Sequence, residues 1–268
     1  MLRRTSASVL AALLAALMPP DAQAQTDYRN LDDDRPTLVE DAYPTERWAF
    51  EFVLPFRAAE SGGRRVFATI PELTFGALPN VHVGIKAPLA DVNGTSTVPS
   101  ARGLSGLRAF ALWNFNTESA SLPALAVRGD LILPVGSLGE SQTTLLLKGL
   151  ATRSFGVVRV HLNVAGSIGR ITPVGAPVEG ATRWYAGAAV DRTFWRSSVI
   201  AIAELTTARR AGGEPLAWTA LGGTRVQLTP YLVLDVGAGR TFGGERGWIS
   251  TVGLTRQFAI DGLMRRPR

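Results

Sequence analysis

Residues 158–164 read VRVHLNV, and their side chains alternate strictly between apolar and polar types. The even-numbered positions hold valine or leucine, whereas the odd-numbered ones are Arg159, His161 and Asn163. Successive side chains of a β-strand point to opposite faces, so this pattern predicts a strand with one apolar and one polar face. In residues 48–57, WAFEFVLPFR, the large apolar side chains at the even-numbered positions up to Phe56 share one face and Glu51 and Arg57 lie on the other, and no helical periodicity is found after them. We therefore predict an all-β fold.

Segments of this kind follow one another along the chain, each about 9 to 14 residues long, close to what a tilted strand needs to cross a bilayer. With one marginal case, each odd-numbered connection is longer than the even-numbered connections beside it. That asymmetry is typical of outer-membrane barrels, whose periplasmic turns are short. We predict a transmembrane antiparallel β-barrel over residues 47–258, with about twelve strands (ten and fourteen being alternatives), followed by a tail at 259–268. The predicted strands are 47–57, 64–76, 81–89, 105–116, 122–134, 142–154, 158–170, 182–194, 198–207, 215–228, 231–242 and 247–258.

Aromatic side chains on the apolar face lie near the ends of these strands, while Val, Leu, Ile and Ala occupy most mid-strand positions. Two aromatic girdles around an aliphatic band are typical of a membrane barrel. A soluble core would concentrate its aromatic residues at the centre. One predicted girdle comprises Trp48, Phe75, Trp113, Phe115, Phe194 and Phe258, and the other Phe56, Phe67, Trp184, Trp218, Phe242 and Trp248.

Pro71 lies in the middle of the second predicted strand. Proline has no N–H to donate to a neighbouring strand, and a closed barrel has no free edge where that loss would be harmless. We therefore expect a bulge or a shorter strand at this position.

The composition excludes several classes of protein. With no cysteine among 268 residues, the chain has no disulfide, thiolate metal site or cysteine nucleophile. Hydrophobic residues make up 46% of the chain, but no apolar run after residue 18 approaches the ~20 residues of a spanning helix. The net charge of +6 is carried almost wholly by arginine and without a basic run, so nucleic acid is not a predicted partner.

The N-terminus has the features of an export signal. An Arg-Arg pair precedes an apolar run at 9–18, and AQA at 22–24 resembles a cleavage site. We predict a signal peptide over residues 1–24, cleaved after Ala24, and hence an exported protein.

Residues 25–46 form an acidic leader, in which seven carboxylates accompany only Arg29 and Arg35. The segment has no apolar periodicity, so we expect an extended or mobile, solvated periplasmic leader. A calcium site at residues 32–34 is the alternative, but three consecutive carboxylates lack the alternating spacing of a calcium loop.

Charged and histidine side chains on the polar faces are the candidate lumen-lining residues. Six are basic and six acidic, so no strong ion selectivity follows from their number. They form either structural pairs across the lumen or the wall of a solute path. The candidates are Glu51, Glu72, His82, Lys86, Arg108, Arg128, Asp130, Lys148, Arg159, His161, Asp191, Glu204, Arg225 and Asp235.

Catalysis is not predicted. The only histidines are His82 and His161, both on the polar face, and no serine is placed for activation at the lipid boundary. Two histidines without a defined third ligand do not make a zinc site. The glycines at 237, 239, 243 and 244 have no following helix for phosphate binding and fit barrel curvature and turns. No cofactor is expected.

Several stretches together resemble a known family: IPELTFG at 70–76, NVHVGIKAPL at 80–89, LPALAVRGDLILPVG at 122–136 and LTPYLVLDVGAG at 228–239. In this order they are similar to outer-membrane barrels of the MetA-pathway of phenol degradation, or transporter-like, family. The resemblance implies a closed barrel that passes small organic, often aromatic, compounds. It supplies no catalytic motif.

The function predicted from the sequence is that of a passive channel or facilitator in a Gram-negative-type outer membrane. Its expected partners are outer-membrane lipid, the barrel-assembly machinery and a small-molecule solute. One alternative is a plugged structural or adhesive barrel that works through exposed loops such as 90–104. A soluble exported β-sheet binding protein is the other.

Overall fold

The computed structural model describes residues 29–32, 35–94, 99–139, 142–168, 182–194, 198–210, 216–243 and 246–260. The predicted signal peptide and most of the C-terminal tail lie outside these residues. No helix among the described residues is long and apolar enough to cross a membrane. The strand segments are β1 (Ala49–Ser61), β2 (Arg64–Thr69), β3 (Glu72–Leu78), β4 (Val81–Lys86), β5 (Leu89–Val92), β6 (Ala101–Leu104), β7 (Leu107–Asn116), β8 (Ala124–Leu133), β9 (Thr144–Phe155), β10 (Val158–Ile168), β11 (Thr182–Phe194), β12 (Val199–Arg210), β13 (Ala217–Thr229), β14 (Leu232–Phe242) and β15 (Gly247–Ala259).

The segments form one antiparallel sheet that closes on itself. β15 pairs with β1 along its whole length, from Ala49 opposite Ala259 to Ser61 opposite Gly247. β2 with β3, β4 with β5, and β6 with β7 are the two halves of single barrel strands, because the two halves of each pair lie one after the other along the same neighbouring strand. In the described part of the chain the barrel therefore has twelve strands. The predicted fold class is confirmed.

The breaks within these three strands fall at or beside proline or glycine. β2 and β3 are separated by Ile70 and Pro71, β4 and β5 by Ala87 and Pro88, and β6 and β7 by residues 105–106. Proline cannot donate a ladder hydrogen bond. The irregularity expected at Pro71 is thus present. A bond from Ala87 N–H to the Pro71 carbonyl (3.0 Å) still crosses the break.

Two connections are much shorter than predicted. β1 and β2 are joined by Gly62 and Gly63 alone, whereas a longer connection was expected. Both glycines have positive φ, 58° and 78°, which suits a tight hairpin. The connection predicted at 90–104 is shorter, spanning 93–100, because the strands extend as β5 and β6.

The barrel has two unlike ends. Ala49 and Ala259 lie at one end, together with the two-residue turns at 79–80, 156–157 and 230–231. We call this end the short-turn rim. The opposite end, the long-loop rim, carries the β1–β2 hairpin, the longer connection between β5 and β6 and that between β8 and β9.

The outer surface of the barrel is apolar and the interior is polar, the reverse of a soluble barrel. Outward-facing residues of mid-strand and rim are well exposed, for example Val164 (62%), Phe67 (55%) and Trp113 (55%). Near the barrel seam Phe50 stacks on Phe75 of β3 and on Phe258 of β15, with ring centroids 4.6 and 5.5 Å apart. This polarity is what a bilayer on the outside and water or polar groups on the inside require.

Candidate functional site: the lumen and its leader segment

All fourteen candidate lumen-lining residues lie on the inner face of the barrel. None of them is more than 8% exposed. Period-two alternation predicts this placement, because a residue of an alternating strand can face only inward or outward. Their low exposure, however, shows that the interior is filled, and the material that fills it comes from the leader.

The leader lies folded back on itself inside the lumen instead of standing in solvent, since the Asp41 N–H donates to the Leu31 carbonyl (2.9 Å). Arg35, Val39 and Ala42 are fully buried, and Glu40 and Asp41 are at most 2% exposed. The prediction of a solvated leader is therefore wrong for the described part of this segment. Its acidic composition, which suggested solvation, is matched here by basic side chains of the barrel wall.

The backbone of the leader is held by polar side chains of the wall. The N–H groups of Leu38 and Val39 both donate to one Glu204 carboxylate oxygen, at 2.8 and 2.6 Å. Asn163 accepts from the Glu40 N–H (2.9 Å) and donates to the Glu40 carbonyl (2.7 Å). The wall thus supplies many of the partners that the backbone N–H and C=O groups of this segment need, as a neighbouring strand would.

The same pattern continues toward the short-turn rim. The Ala42 N–H donates to the Thr152 hydroxyl (3.0 Å), and the Asn114 amide donates to the Ala42 carbonyl (2.6 Å). Further along, the Thr45 N–H donates to Nδ1 of His82 (3.1 Å). Polar residues from five separate barrel strands thus hold the backbone of the leader.

Glu40 is the charged centre of the leader. Its carboxylate lies 2.6 Å from Nη1 of Arg128 and 3.5 Å from Nζ of Lys148. Arg128 also bonds to Asp130 through Nε (3.0 Å) and Nη2 (2.9 Å), and its guanidinium lies 3.9 Å from the Phe110 ring centre. Such a buried pair is strong only while both partners remain, because a single unpaired charge would be left without solvent.

A second cluster surrounds Arg35. Its guanidinium approaches Asp32 (2.6 Å), Glu51 (3.4 Å) and Asp235 (3.6 Å). Arg225 bonds to the other oxygen of Asp235 at 2.5 Å. The wall carboxylates predicted to line a pore are therefore partly neutralised by an arginine of the leader.

Thr152, His161 and Asp191 form a chain that resembles a catalytic relay. Nε2 of His161 lies 2.8 Å from Asp191, and Nδ1 lies 3.0 Å from the Thr152 hydroxyl. Arg159 also bonds to Asp191, at 2.8 Å. The Thr152 oxygen accepts the Ala42 N–H, so the chain holds the leader. Among the described residues no cluster of His, Asp and Glu is large enough to hold a metal ion.

Burial shifts the pKa of two leader side chains. The pKa of Asp41 is raised to about 8 by burial, partly opposed by Arg159, whose Nη1 lies 3.6 Å from the carboxylate. Burial and the neighbouring Glu118 raise the pKa of Tyr43 to about 12, and its hydroxyl donates to Glu118 (3.2 Å). Both shifts favour the protonated form of the side chain.

Inward-facing glycines make room for the leader. A Cβ added at Gly223 or Gly237 would lie 2.8 or 2.9 Å from Cβ of Pro36, and one at Gly187 would lie 2.7 Å from Val39. Sequence reasoning missed this role, because it assigned the glycine-rich stretch near residue 237 to barrel curvature. The alternation of the strands could have indicated this role. It places these glycines on the polar, inward face, where a lumen filled only with water would not require a missing side chain.

Solved structures similar to this chain include an outer-membrane channel and two porins. The COG4313 outer membrane channel from Pseudomonas putida F1 matches with a TM-score of 0.60 and 14% identity, covering 81% of this chain and 98% of that one. The NanC porin matches at 0.54 and 6% (76% and 98% covered), and the KdgM porin at 0.52 and 13% (78% and 99%). These identities show a shared fold.

No protein-family model matches the chain. No curated protein matches it either. The family resemblance of the sequence motifs therefore stays a prediction.

Proposed function

We propose that this protein is an outer-membrane channel for small molecules whose lumen is closed by its own leader. The observation that carries the proposal is the burial of leader residues 35–45 inside a barrel that is polar within and apolar without. An apolar belt with aromatic rims supports a bilayer as the surrounding medium. The names of the similar structures, outer membrane channel and porin, support the same location.

The sidedness follows from the connections. Short turns of membrane barrels face the periplasm, so the short-turn rim is placed there and the long-loop rim outside. The leader enters the barrel beside Ala49, at the short-turn rim, and its preceding residues point into the lumen. A leader that leaves the lumen would therefore be released into the periplasm.

The contacts of the leader are suited to a movable plug. They consist largely of hydrogen bonds and ion pairs to side chains such as Glu204, Asn163 and Arg128. Water can replace polar contacts of this kind when the leader departs, since the net value of a hydrogen bond is only about 0.5 to 1.5 kcal/mol. Apolar contacts of the leader include two clusters, Leu31 against Ile200, Ile202 and Val233, and Ala42 against residues of β7, β8 and β9. A plug held this way can be displaced without unfolding the barrel.

The solute is proposed to be a small organic molecule. The family resemblance of the sequence motifs suggests aromatic compounds among the solutes. With the leader displaced, the wall presents both signs of charge, and Phe110 lies beside Arg128. Such a surface offers contacts to a ring as well as to polar substituents.

Single-channel recording in planar bilayers tests the proposal. We expect rare or small openings for the mature protein and stepwise openings of larger conductance after deletion of residues 25–46. Deletion of residues 261–268, which lie at the other end of the chain, is the control and should record like the mature protein.

A plugged structural barrel is the second candidate. The ion pair of Glu40 with Arg128 at 2.6 Å favours it, because leaving it unpaired is costly. If neither the mature protein nor the leader deletion shows conductance, although both preparations contain assembled barrels, this candidate is established and the channel is overturned.

A further inference from the structure

Two adjacent cavities lie on the outward face of the barrel wall near the long-loop rim. The first has a volume of about 470 Å³, and its outward lining includes the large side chains Phe56, Phe67, Leu89 and Val252 around the small Ala58 and Ser250. The small side chains leave a recess between the large ones. It lies within the apolar belt, where only lipid or a ligand from the lipid phase can fill it.

The second cavity, of about 360 Å³, adjoins the first on the side of the rim. It is lined by Glu60, Arg240, Arg246, Phe242 and Trp248, among others. The first cavity is lined mainly by apolar side chains, although Asp91 and Arg102, which pair with each other at 3.9 Å, also line it.

Strand register shows how the two cavities are stacked. Trp248 lies directly opposite both Arg240 and Glu60, which forms a row close to the rim. Two residues further from the rim, Ala58 lies opposite both Ser250 and Phe67. Cations are thus placed above an apolar recess on one continuous surface.

The two arginines of the second cavity are exposed. Glu60 bonds to Arg65 at 2.9 Å, and within the described residues no carboxylate or aromatic ring pairs with Arg240 or Arg246. At the short-turn rim the situation differs, because Arg47 and Arg192 lie over the rings of Trp48 and Phe194, at 4.8 and 4.9 Å.

We propose that this surface binds one molecule of lipopolysaccharide from the outer leaflet. A guanidinium recognises phosphate through paired hydrogen bonds, so Arg240 and Arg246 bind a phosphate of the glycolipid headgroup. An acyl chain of the same molecule fills the recess over Ala58. The inference rests on the proposed function in one respect, namely that the long-loop rim faces outside, where this phosphorylated, multiply acylated lipid is found.

Binding of purified rough lipopolysaccharide to the full-length protein in detergent tests the inference. The double variant Arg240→Gln with Arg246→Gln should bind roughly tenfold more weakly, a loss of about 1.4 kcal/mol. The control is Arg209→Gln, an outward arginine elsewhere on the same rim, and it should bind like the unmodified protein. Unchanged affinity of the double variant would overturn the proposal.

The recess is tested separately. Ala58→Phe fills it and should also weaken binding, whereas Ala188→Phe, an outward alanine on the opposite wall, should not. Phosphatidylglycerol micelles serve as the competing probe. If they bind as tightly as lipopolysaccharide, the site recognises any anionic lipid and the proposal is wrong.

Conductance of the leader deletion, measured on the same variants, separates this inference from the proposed function. If lipid binding depends on Arg240 and Arg246 but the leader deletion shows no conductance, the lipid site is supported and the channel is refuted. If the leader deletion conducts but lipid binding does not depend on these arginines, the channel is supported and the lipid site is refuted.

Discussion

At the scale of single residues, the lumen wall is shaped as much by missing side chains as by charged ones. Gly237 faces Pro36 of the leader closely enough that a Cβ would approach the proline ring to 2.9 Å. Gly222 faces outward, and a Cβ there would meet its nearest neighbour, a carbonyl oxygen, only at 3.9 Å. The two positions therefore differ in what a larger side chain would displace.

Gly237→Val should push the leader from its place and increase channel opening. Overpacking of a filled interior costs about 1 to 3 kcal/mol, enough to shift the plugged and open populations by fivefold or more. Gly222→Val is the matched control and should leave opening unchanged in single-channel recordings. If Gly237→Val fails to assemble, Gly253→Val tests the same point, because a Cβ there would lie 3.1 Å from Arg35 of the leader. Equal opening in the variants and the control would contradict the fit of the leader to these glycines.

At the scale of elements, closure of the barrel depends on β15. Its outward residue Leu254 lies opposite both Leu54 of β1 and Leu234 of β14, so three leucines form a row in the apolar belt. Nearer the short-turn rim, Arg256 faces the same way and can reach the headgroups with its long side chain.

Leu254→Arg should reduce the amount of folded protein in the membrane. An arginine near the bilayer midplane of a barrel costs roughly 2 to 4 kcal/mol. Ile260→Arg, just beyond the end of β15, is the control and should assemble normally. Heat-modifiable mobility on gels measures the folded fraction. Normal assembly of Leu254→Arg would mean that this part of β15 does not face lipid.

At the scale of the whole molecule, the barrel and the leader are stabilised by different interactions. Every barrel strand has its backbone partners in the neighbouring strands, and β15 closes the ladder on β1. The leader adds contacts to buried wall charges such as Arg128 and Glu204. Loss of the leader exposes these charges to water but leaves the strand ladder intact.

The protein without residues 25–46 should therefore still form a barrel, with a lower unfolding temperature. Circular dichroism should show the same β-rich spectrum at room temperature, and thermal scans should report the loss of stability. The deletion of residues 261–268 again provides the control. Failure of the leaderless chain to form any barrel would show that the leader is required for folding and does not act only as a plug.

Much of the fold could be predicted because it depends on local periodicity. Alternation within each strand set the direction of residues such as Arg159 and His161, and the same alternation gave the strand number. Finer features of the strands and connections could not be predicted from this alternation alone. The breaks at Ala87 to Pro88 and at residues 105–106 were not expected, and the connection between β1 and β2 was predicted too long.

The sequence by itself determined a closed barrel that is apolar outside and polar inside, since each strand carries this information in its own residues. Only the tertiary structure decided where the leader goes. Its partners, among them Glu204, Asn163 and His82, come from strands far apart in the sequence and meet only when the barrel closes. An acidic segment without periodicity looks the same whether water or a basic wall satisfies its charges. The physical reason is that contacts with residues distant in the sequence leave no pattern in the residues of the leader itself.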